Sequence, residues 1–464
     1  MFSKILIANR GEIALRIIRS ARQMGIRTVA VYSESDRTSL HAILADEKVC
    51  IGPGRASESY LNIPNLLSAA EITQADAIHP GYGFLAENPR FAEICESSGI
   101  AFIGPPAPLI KLMGNKSEAR QEMKKAKVPI IPGSDKVIDD LAEAKKTAKK
   151  MGFPVILKAA AGGGGRGMRI ARSPSQLDEQ FAMAQNEARA AFSDASLYIE
   201  KYLPRARHIE IQVVADKKGN VIALGERECS IQRKHQKLIE ETPSPFVDEK
   251  LRRKIISAAE HAARHIGYES LGTFEFLVDE KERFYFMEAN TRVQVEHPIT
   301  EFAYGLDLIE EQIRIAAGEK LSIPEGLKMR GHTIECRVNA EDPTTFAPSP
   351  GTIDFLVLPG GPGIRVDSAA YQGWRIPPEY DSLLAKIIAH APKRSLAIKK
   401  MQAALEMTAI VGIKTNIPLH LAILSDSDFM KGDYDTQFME RFLAKNGSLS
   451  VAGKPGAFNL SSGS

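Results

Sequence analysis

A glycine-rich segment is a candidate for holding phosphate groups. It reads "KAAAGGGGRGMR" over residues 158–169 and contains Gly162, Gly164 and Gly167 in the spacing of a dinucleotide-binding turn. Such a turn leaves a strand and opens directly into a helix, whose N-terminus binds the pyrophosphate. Residues 168–171, however, have the pattern of a second strand. The glycines are therefore predicted to lie at the tip of a hairpin that folds over a ligand.

Lys158 supports the phosphate interpretation, because it ends the strand before the glycines and would place a cation beside phosphate oxygens. A P-loop is excluded, since no Gly-Lys-Ser/Thr follows. A mobile hairpin without a ligand would have the same sequence. The loop therefore predicts a nucleotide only if the chain also has a metal site.

Two glutamates are candidate metal ligands. Residues 272–290, "GTFEFLVDEKERFYFMEAN", have the pattern of a β-hairpin whose turn lies between Lys281 and Glu282, which places Glu275 opposite Glu288. Directly opposed like charges destabilise a sheet, and a divalent cation with nucleotide phosphates would compensate them. Two solvated glutamates on an exposed face are the alternative.

The same hairpin register makes two further predictions. It pairs Asp279 with Phe284. It also puts Leu277 and Phe286 on one face, as an apolar neighbour that could bind an adenine ring. Both predictions depend on an unbroken ladder.

A dense polar run follows the hairpin, and two solvated glutamates would not account for it. In "NTRVQVEHPITE", Asn290, Arg292, Gln294 and Glu296 alternate, so they are expected to share one face of an extended segment with Glu288. The planar guanidinium of Arg292 suits a small planar oxyanion. Glu296 beside it is a candidate base.

Further polar side chains interrupt strand-like segments. "ERECSIQRKHQKLIEE" carries Gln232, His235 and Lys237, "HTIECRVNAEDP" carries Arg337, and His208 is another candidate. Any one of these residues is more often structural than catalytic. Their number predicts a shared polar cleft.

The elements that must position these groups fall into successive patterns. The first segment, "KILIANRGEIALRIIRSARQMGIRTVAVYS", has the pattern of a βαβ unit and opens a doubly wound α/β region. Its first turn lacks the dinucleotide glycines, and the acidic "SESD" after the second strand is interpreted as a solvated loop. A helix, a strand, the glycine loop and another strand follow. Alternating segments then indicate a larger, mostly antiparallel sheet from about residue 204 onward.

Composition excludes several classes of protein. Sixty Lys and Arg nearly balance 57 Asp and Glu, so the net charge of +3 offers no basic face for nucleic acid. No window approaches a membrane span or a signal peptide, which predicts a cytoplasmic chain without a membrane partner. Cys50, Cys95, Cys229 and Cys336 are widely spaced, so neither disulfides nor a zinc site is expected.

Five motifs, in order and spacing, resemble the biotin carboxylases of the ATP-grasp superfamily, and most of all the separate bacterial subunit of acetyl-CoA carboxylase. They are "HPGYGFLAEN", "KAAAGGGGRGMR", "ERECSIQRKHQK", "EANTRVQVEHP" and "ECRVNAEDP". The resemblance extends from "KILIANRGEIALRI" to about residue 445. Chance agreement over all five motifs is negligible.

The resemblance implies an α/β fold, α+β overall, in four parts. These are a Rossmann-like domain over 1–113, linker helices and a hinged ATP-grasp lid over 114–204, a mainly antiparallel C-terminal catalytic domain over 205–446, and a disordered tail over 447–464. It also implies a reaction, in which MgATP phosphorylates bicarbonate and the carboxyphosphate carboxylates N1′ of biotin. This is the first half-reaction of acetyl-CoA carboxylase in fatty acid synthesis.

The family's functional residues map onto this sequence position by position. Those around ATP would be Lys116, Lys158, Gly163, Gly164, Gly165, Met168, Glu200, Lys201, Leu203, His208, Gln232, His235 and Leu277. Glu275, Glu288 and Asn290 would hold Mg²⁺ or Mn²⁺. Lys237, Arg292, Gln294 and Val295 would bind bicarbonate, and Glu296 would take its proton. Arg337 would stabilise the biotin enolate, while Tyr82 and Gly83 contact the ureido end.

The resemblance also implies partners. Biotin would arrive on a separate carrier protein, because "GLKMRG" has the Lys-Met pair of a biotin attachment site without its other elements. The biotin carboxyl carrier protein and the carboxyltransferase subunits would complete the enzyme. A homodimer face would include Arg16, Arg19 and Arg365, although Gln23 replaces an expected acid and Pro362 an expected aromatic residue.

Several other functions remain to be compared, and within the family a pyruvate or propionyl-CoA type carboxylase is the alternative. Thr291 and Pro298 favour an acyl-CoA carboxylase over a pyruvate carboxylase, and Asn115 and Ala289 depart from the family pattern without replacing a ligand. Another ATP-grasp ligase would not need Arg337. The loop context argues against an NAD oxidoreductase, and the presence of all the acidic candidates argues against a non-catalytic subunit.

Overall fold

The computed structural model describes residues 1–134, 136–160, 168–192, 194–324 and 326–446. The predicted roles of Gly163, Gly164 and Gly165 lie outside the described residues. So does the predicted disorder of residues 447–464.

The first unit is a parallel sheet covered by helices. Its strands are β1 (Lys4–Ile7), β2 (Arg27–Tyr32), β3 (Glu47–Cys50), β4 (Ala77–His79) and β5 (Ala101–Phe102), in the order β3-β2-β1-β4-β5. Its helices are α1 (Gly11–Gln23), α2 (Leu40–Leu44), α3 (Ile63–Ile72), α4 (Pro89–Ser97) and α5 (Ala107–Gly114). Helix α1 packs on the sheet because Ile13, Ile17 and Ala21 form one buried stripe. The predicted doubly wound α/β unit is confirmed.

The aspartate that follows β2 is paired with the arginine that follows β1, rather than left free for a ligand. Asp36 is completely buried and accepts hydrogen bonds from Arg10 Nε at 2.6 Å and from the Tyr60 hydroxyl at 2.7 Å. The ring of Tyr380, from the other end of the chain, lies 4.0 Å from the Arg10 guanidinium. The interpretation of "SESD" as a solvated loop is therefore wrong, because the aspartate's partners come from distant segments.

A small antiparallel sheet follows. It contains β6 (Val155–Ala159), β7 (Arg169–Ala171) and β8 (Leu197–Lys201) in the order β7-β6-β8, with helices α6 (Lys116–Lys125), α7 (Leu141–Met151) and α8 (Pro174–Phe192). Strands β6 and β7 pair antiparallel on either side of the glycine-rich segment. A strand, not a helix, therefore follows the glycines as predicted, which excludes a dinucleotide-binding turn.

The largest sheet is antiparallel throughout. The remaining strands are β9 (Arg207–Ala215), β10 (Val221–Arg233), β11 (Gln236–Thr242), β12 (Ser270–Val278), β13 (Phe284–Asn290), β14 (His332–Asn339), β15 (Phe355–Val357), β16 (Ile364–Ser368), β17 (Leu383–Ala391) and β18 (Ala409–Val411). Eight of them form a sheet in the order β13-β12-β9-β10-β11-β14-β17-β16, while β15 pairs with β18. The remaining helices are α9 (Glu249–His265), α10 (His297–Tyr304), α11 (Leu308–Ala316), α12 (Arg394–Glu406), α13 (Ile417–Leu424), α14 (Ser427–Lys431) and α15 (Phe438–Asn446).

Alternation along these strands separates an apolar face from a polar one. On the apolar face, Ile211 and Phe274 share a buried cluster with Ile255 of α9, and Ile387 shares one with Met401 of α12. The opposite face carries His208, Glu210, Gln212, Arg227, Gln232, Lys237, Glu240, Glu275, Arg337 and Lys386. Most of the charges that interrupt the strand patterns therefore line one surface, in agreement with the predicted polar cleft, whereas Glu226, Glu228 and Glu241 lie on the opposite face.

Candidate active site

Glu275 and Glu288 face each other across β12 and β13, as predicted from the hairpin pattern. Glu275 accepts hydrogen bonds from His208 Nε2 (2.6 Å), Asn290 Nδ2 (2.8 Å), Gln294 Nε2 (2.7 Å) and Lys237 Nζ (3.2 Å). Within the described ranges, no hydrogen bond or ion pair reaches the carboxylate of Glu288. Burial and the like charge of Glu275 raise the pKa of Glu288. This carboxylate fits a role in binding a hard divalent cation.

The rest of the predicted hairpin register is wrong. A bulge between the Glu275 pair and the Phe276 pair shifts the ladder by one residue on β13. Val278, not Asp279, lies opposite Phe284. Phe286 pairs with Phe276 and joins the buried aromatic cluster, on the face opposite Leu277. Leu277 alone of the predicted apolar pair remains on the side of Glu275.

A second cation site competes with the carboxylate pair. Ligand atoms of His208, Glu210 and Glu275 lie within 4.8 Å of one another. Glu210, however, already has Arg227 Nε and Lys237 Nζ each at 2.5 Å. Protein cations thus neutralise Glu210 directly, whereas none of the described cations forms an ion pair with Glu288, which Lys116, His208 and Lys237 influence only at longer range. The charge balance favours the oxygen site between Glu275 and Glu288 over the histidine site.

The polar run after β13 converges on the site by a different route from the one predicted. The strand ends at Asn290 and the chain bends through 291–296, so the predicted extended segment is wrong. Asn290 and Gln294 nevertheless both donate to Glu275. Val293 between them is fully buried in the apolar core below. Local bends, rather than strand alternation, bring these side chains together.

Glu296 is held between two cations. Its Oε1 lies 2.5 Å from Lys237 Nζ, and its Oε2 lies 2.8 Å from Arg337 Nη2. Burial alone would raise the pKa of Glu296, but Lys237 and Arg337 outweigh it and hold that pKa well below its usual range. Arg337 is in turn fixed by Glu240, whose Oε1 accepts from Nε at 2.6 Å. The candidate base is therefore ionised and fixed in orientation.

A register shift brings Lys237 into this group. On β10 the pairing with β11 shifts between Ile231 and Gln232, so Lys237 lies opposite Gln232 while Ile239 lies opposite Ile231. Gln232 donates to Nδ1 of His208 at 3.0 Å. The bulge thus puts two predicted nucleotide residues and one predicted bicarbonate residue on the same face.

Arg292 and Tyr82 line the edge next to the first unit. Arg292 Nε donates to Glu87 Oε2 at 2.8 Å, and its Nη2 donates to Asn290 Oδ1 at 3.0 Å. The loop of Tyr82 and Gly83 is anchored by Asn9, whose Nδ2 donates to the Tyr82 carbonyl at 2.7 Å. The structure thus places the predicted anion and biotin residues at one edge of the cleft.

The predicted phosphate end is organised by Glu200. Its carboxylate lies 2.5 Å from Lys158 Nζ and 2.5 Å from Arg120 Nη1. Burial raises the pKa of Glu200, but these cations and Lys116 lower it overall. The ammonium of Lys201 donates to the backbone carbonyls of residues 152 and 153, each at 3.0 Å.

The other predicted nucleotide residues lie at the margins. His235 is exposed at the turn between β10 and β11. Partial desolvation and, to a smaller extent, the charge of Lys158 lower the pKa of its imidazole. Met168, Leu203 and Leu277 are partly buried, the last on the same face as Glu275. These positions surround the polar face without forming its ion pairs.

Three family models match successive parts of the chain. They are the N-terminal domain of biotin carboxylase over 1–110, the ATP-binding domain of the carbamoyl-phosphate synthase L chain over 115–324, and the C-terminal domain of biotin carboxylase over 335–441. The biotin carboxylase of Haemophilus influenzae is 55% identical over 448 residues, covering 96% of this chain and 100% of that protein. The chain belongs to the biotin carboxylase family. Its members are ATP-dependent ligases, so the resemblance seen in the five motifs is confirmed.

Other members of the family agree in sequence and fold. Biotin carboxylase 1 of Bacillus subtilis is 53% identical over 95% of this chain and 99% of its own length. The Campylobacter jejuni biotin carboxylase, solved as a complex with an ATP analogue, superposes with a TM-score of 0.92 at 50% identity, covering 95% of this chain and 99% of that one. A dimer of the biotin carboxylase domain of the Hydrogenobacter thermophilus 2-oxoglutarate carboxylase, with MgADP and bicarbonate, reaches 0.90 at 50% identity, covering 95% and 98%.

Several members of the site were missed by the sequence reasoning. Arg227 is completely buried and donates to Glu210, Gln212, Thr273, Gln294 and Thr300. Glu210 accepts from Lys237, and Glu240 accepts from Arg337. The available signal was an acidic or basic residue at an inward position of an otherwise apolar strand, as in "HIEIQVVAD". These residues hold the predicted ones in place.

Two general features complete the description. Within the described ranges, no helix combines the length and the apolar composition that crossing a bilayer requires. The cysteines are all free thiols: Cys50 is exposed, and Cys95, Cys229 and Cys336 are buried. The cysteines therefore neither crosslink the fold nor contribute to the ion-pair network of the site.

Proposed function

We propose that this chain carboxylates biotin by means of MgATP and bicarbonate, through carboxyphosphate. The observation that carries the proposal is Glu296, an ionised carboxylate fixed by Lys237 on one side and Arg337 on the other. This arrangement joins a metal and phosphate end to a biotin end on one polar face. Charges at the phosphate end would act in phosphoryl transfer, and charges at the biotin end would act in carboxyl transfer.

The phosphate end binds the nucleotide. Lys158, Lys116 and the glycines 163–165 contact phosphates, with Glu200 orienting the lysine at 158. The nucleotide itself lies among Met168, Lys201, Leu203, His208, Gln232, His235 and Leu277. Glu275, Glu288 and Asn290 hold Mg²⁺ or Mn²⁺, which neutralises phosphate charge during transfer. The unpartnered Glu288 carboxylate supports this assignment.

Bicarbonate binds where the cations converge. Lys237 and Arg292 attract the anion, Gln294 and the backbone at Val295 orient it, and Glu296 takes its proton. The freed oxygen attacks the γ-phosphorus, the bond from that phosphorus to the bridging oxygen breaks, and ADP leaves. The low pKa of Glu296 keeps it ionised before this step.

Biotin binds at the other end of the face. Tyr82 and Gly83 contact the ureido ring, and Arg337 stabilises the negative charge that develops on the ureido oxygen as N1′ becomes carboxylated. Glu240 neutralises part of the arginine's charge and fixes its plane. Removing this cation should impair most the step in which that charge develops, and should affect the bicarbonate step less, through its contact with Glu296.

The assignments extend to partners and domains. We infer that biotin arrives on a separate biotin carboxyl carrier protein, that carboxyltransferase subunits complete an acetyl-CoA carboxylase, and that the chain is cytoplasmic. The domain bounds 1–113, 114–204 and 205–446 remain part of the proposal.

A homodimer is proposed from the dimeric relative. Of the arginines assigned to its face, Arg16 is buried against Glu301 and Asp307, and Arg19 is about half exposed.

A pyruvate-type carboxylase is the second candidate, because the biotin carboxylase subunit of pyruvate carboxylase superposes with a TM-score of 0.84 at 49% identity, covering 95% of this chain and 98% of that one. Reconstitution with candidate carboxyltransferases and either acetyl-CoA or an oxo acid separates the two. We expect acetyl-CoA to be the acceptor.

The direct test of the proposal is ATP hydrolysis by the purified chain. We expect hydrolysis to require bicarbonate and a divalent cation, and free biotin to stimulate it with formation of carboxybiotin. ATP hydrolysis at the same rate with and without bicarbonate, or transfer of the γ-phosphate to another acceptor, would contradict the proposal.

A further inference from the structure

A buried ion pair lies behind the proposed carboxyl-transfer end of the site. Lys386 of β17 has no exposed surface, and its Nζ lies 3.1 Å from Oε2 of Glu12 in the first turn of α1. Asp367 of β16 is a second acidic neighbour, 3.9 Å from the same nitrogen. Burying an ammonium is costly unless it is paired and hydrogen-bonded. The pair also joins the first unit to the largest sheet.

Lys386 holds one wall of the site. Its Nζ donates to the carbonyl oxygen of Val295 at 2.9 Å. That carbonyl belongs to the planar peptide that carries the N–H of Glu296, so fixing one end of the unit fixes the other. Lys386 also lies directly opposite Arg337 in the register of β14 and β17, so the two side chains are neighbours on one face.

Glu12 holds the opposite wall. Its Oε1 accepts a hydrogen bond from the Tyr82 hydroxyl, while its Oε2 faces Lys386. The backbone of Tyr82 is already held by Asn9. The tyrosine is thus fixed at both ends, and its hydroxyl is tied through one carboxylate to the cation that holds Val295.

We propose that Lys386 and Glu12 are positioning residues that set the spacing between the Val295–Glu296 peptide and Tyr82. This inference rests on the proposed function, in which the first group belongs to bicarbonate and the second to biotin. Neither positioning residue touches a substrate. Their effect is on geometry, since misplacing reacting groups by about an ångström reduces a rate strongly.

Lys386→Met tests the pair, because it removes the ammonium and its hydrogen bond while keeping an unbranched side chain. Losing one such hydrogen bond corresponds to about a fivefold to tenfold lower kcat for biotin carboxylation. The KM for ATP, set at the distant phosphate end, should change less than about twofold by the same scale. Lys386→Arg restores a buried cation and should recover most of the loss.

A matched control separates positioning from general packing. Like Lys386, Lys400 donates to backbone carbonyl oxygens, in its case those of Pro362 and His390, but it lies away from the site. Lys400→Met should leave kcat for biotin carboxylation unchanged. An equal loss in both methionine variants would overturn the inference.

Hydrogen exchange of the substrate-free protein gives a readout that needs no activity. In Lys386→Met we expect faster exchange confined to residues 80–86 and 291–297. Should that variant fail to fold, the double variant Glu12→Gln with Lys386→Met removes both charges and is examined the same way. Normal kcat with unchanged exchange, or exchange raised across the whole sheet, would refute a positioning role. If the unsubstituted chain does not carboxylate biotin, the proposed function is contradicted. The hydrogen-exchange result still decides whether Lys386 and Glu12 are positioning residues.

Discussion

Arg337 and Glu296 form an ion pair in which Nη2 of the arginine lies 2.8 Å from Oε2 of the carboxylate. The arginine is assigned to the biotin step and the carboxylate to the bicarbonate step, so the two half-steps share this contact. When Glu296 takes a proton, the pair loses its negative member. Arg337 then retains its contact with Glu240, whose pKa burial raises to about 7.

Glu296→Gln tests the base. We expect bicarbonate-dependent ATP hydrolysis to fall about a hundredfold or more, since a positioned general base contributes at least that much. The amide oxygen can still accept a hydrogen bond from one of the two cations, Lys237 or Arg337, while the amide NH2 faces the other, so a thermal unfolding curve should accompany the assay. Steady-state phosphate release at saturating bicarbonate measures the effect, and an unimpaired variant would remove Glu296 from the proton transfer.

Glu288→Gln tests the metal site. The variant loses a carboxylate that makes no hydrogen bond or ion pair with the described residues, so a higher Mg²⁺ concentration should be needed for half-maximal ATP hydrolysis. Glu282→Gln is the matched control, because Glu282 is an exposed glutamate in the turn of the same hairpin. Titration of activity with Mg²⁺ compares them. Identical curves for the two variants would argue against Glu288 as a ligand.

The hairpin of β12 and β13 shows which features of the site could be predicted from the sequence. The opposition of Glu275 and Glu288 was predicted correctly although this pair lies beyond the bulge, as counted from the turn. The extra residue on β13 offsets the one-residue error next to the turn, where Val278 pairs with Phe284. Phe286 was placed on the wrong face because an inserted residue reverses side-chain direction, and nothing in "FYFMEAN" marks the insertion. The pattern of residues indicated metal ligands at Glu275 and Glu288 and a base at Glu296, whereas most other roles came from the resemblance.

Arg227 could not be assigned from sequence, because its five partners come from separate segments of the chain. Arg227→Met should destabilise the protein by about 3–5 kcal/mol, since it leaves Glu210 as a buried charge with one partner fewer. Urea unfolding measures the loss. Adding Glu210→Gln should recover part of the stability. A double variant whose loss of unfolding free energy exceeds the sum of the two single losses would contradict this explanation.

Glu241, which lies away from the site, should make the free energy of unfolding fall at low pH. Burial would raise its pKa, but hydrogen bonds from His332 and Arg394 lower it to about 2. A folded-state pKa below the unfolded one stabilises the protein above about pH 4.5, and the contribution is lost as the pH falls toward 2. The stability gap between the unsubstituted protein and Glu241→Gln should therefore be largest near pH 7 and should shrink below about pH 4.5.

Urea unfolding between pH 7 and pH 3 measures this gap. Glu440→Gln, at an exposed glutamate of α15, is the control and should show a small gap at every pH. A gap for Glu241→Gln that widens on acidification would show that its charge does not stabilise the fold.

The central claim is that one polar face performs two separable steps, phosphoryl transfer at the Glu288 end and carboxyl transfer at the Arg337 end. The most direct measurement is the amount of carboxybiotin formed per ATP hydrolysed, determined on the same preparations of the unsubstituted protein, Glu288→Gln and Arg337→Ala. Both activities should fall together in Glu288→Gln, so its ratio should stay near that of the unsubstituted protein. In Arg337→Ala carboxylation should be largely lost while much more of the bicarbonate-dependent hydrolysis remains, so the ratio should collapse. Equal losses of the two activities in Arg337→Ala would contradict the division of the site into two steps.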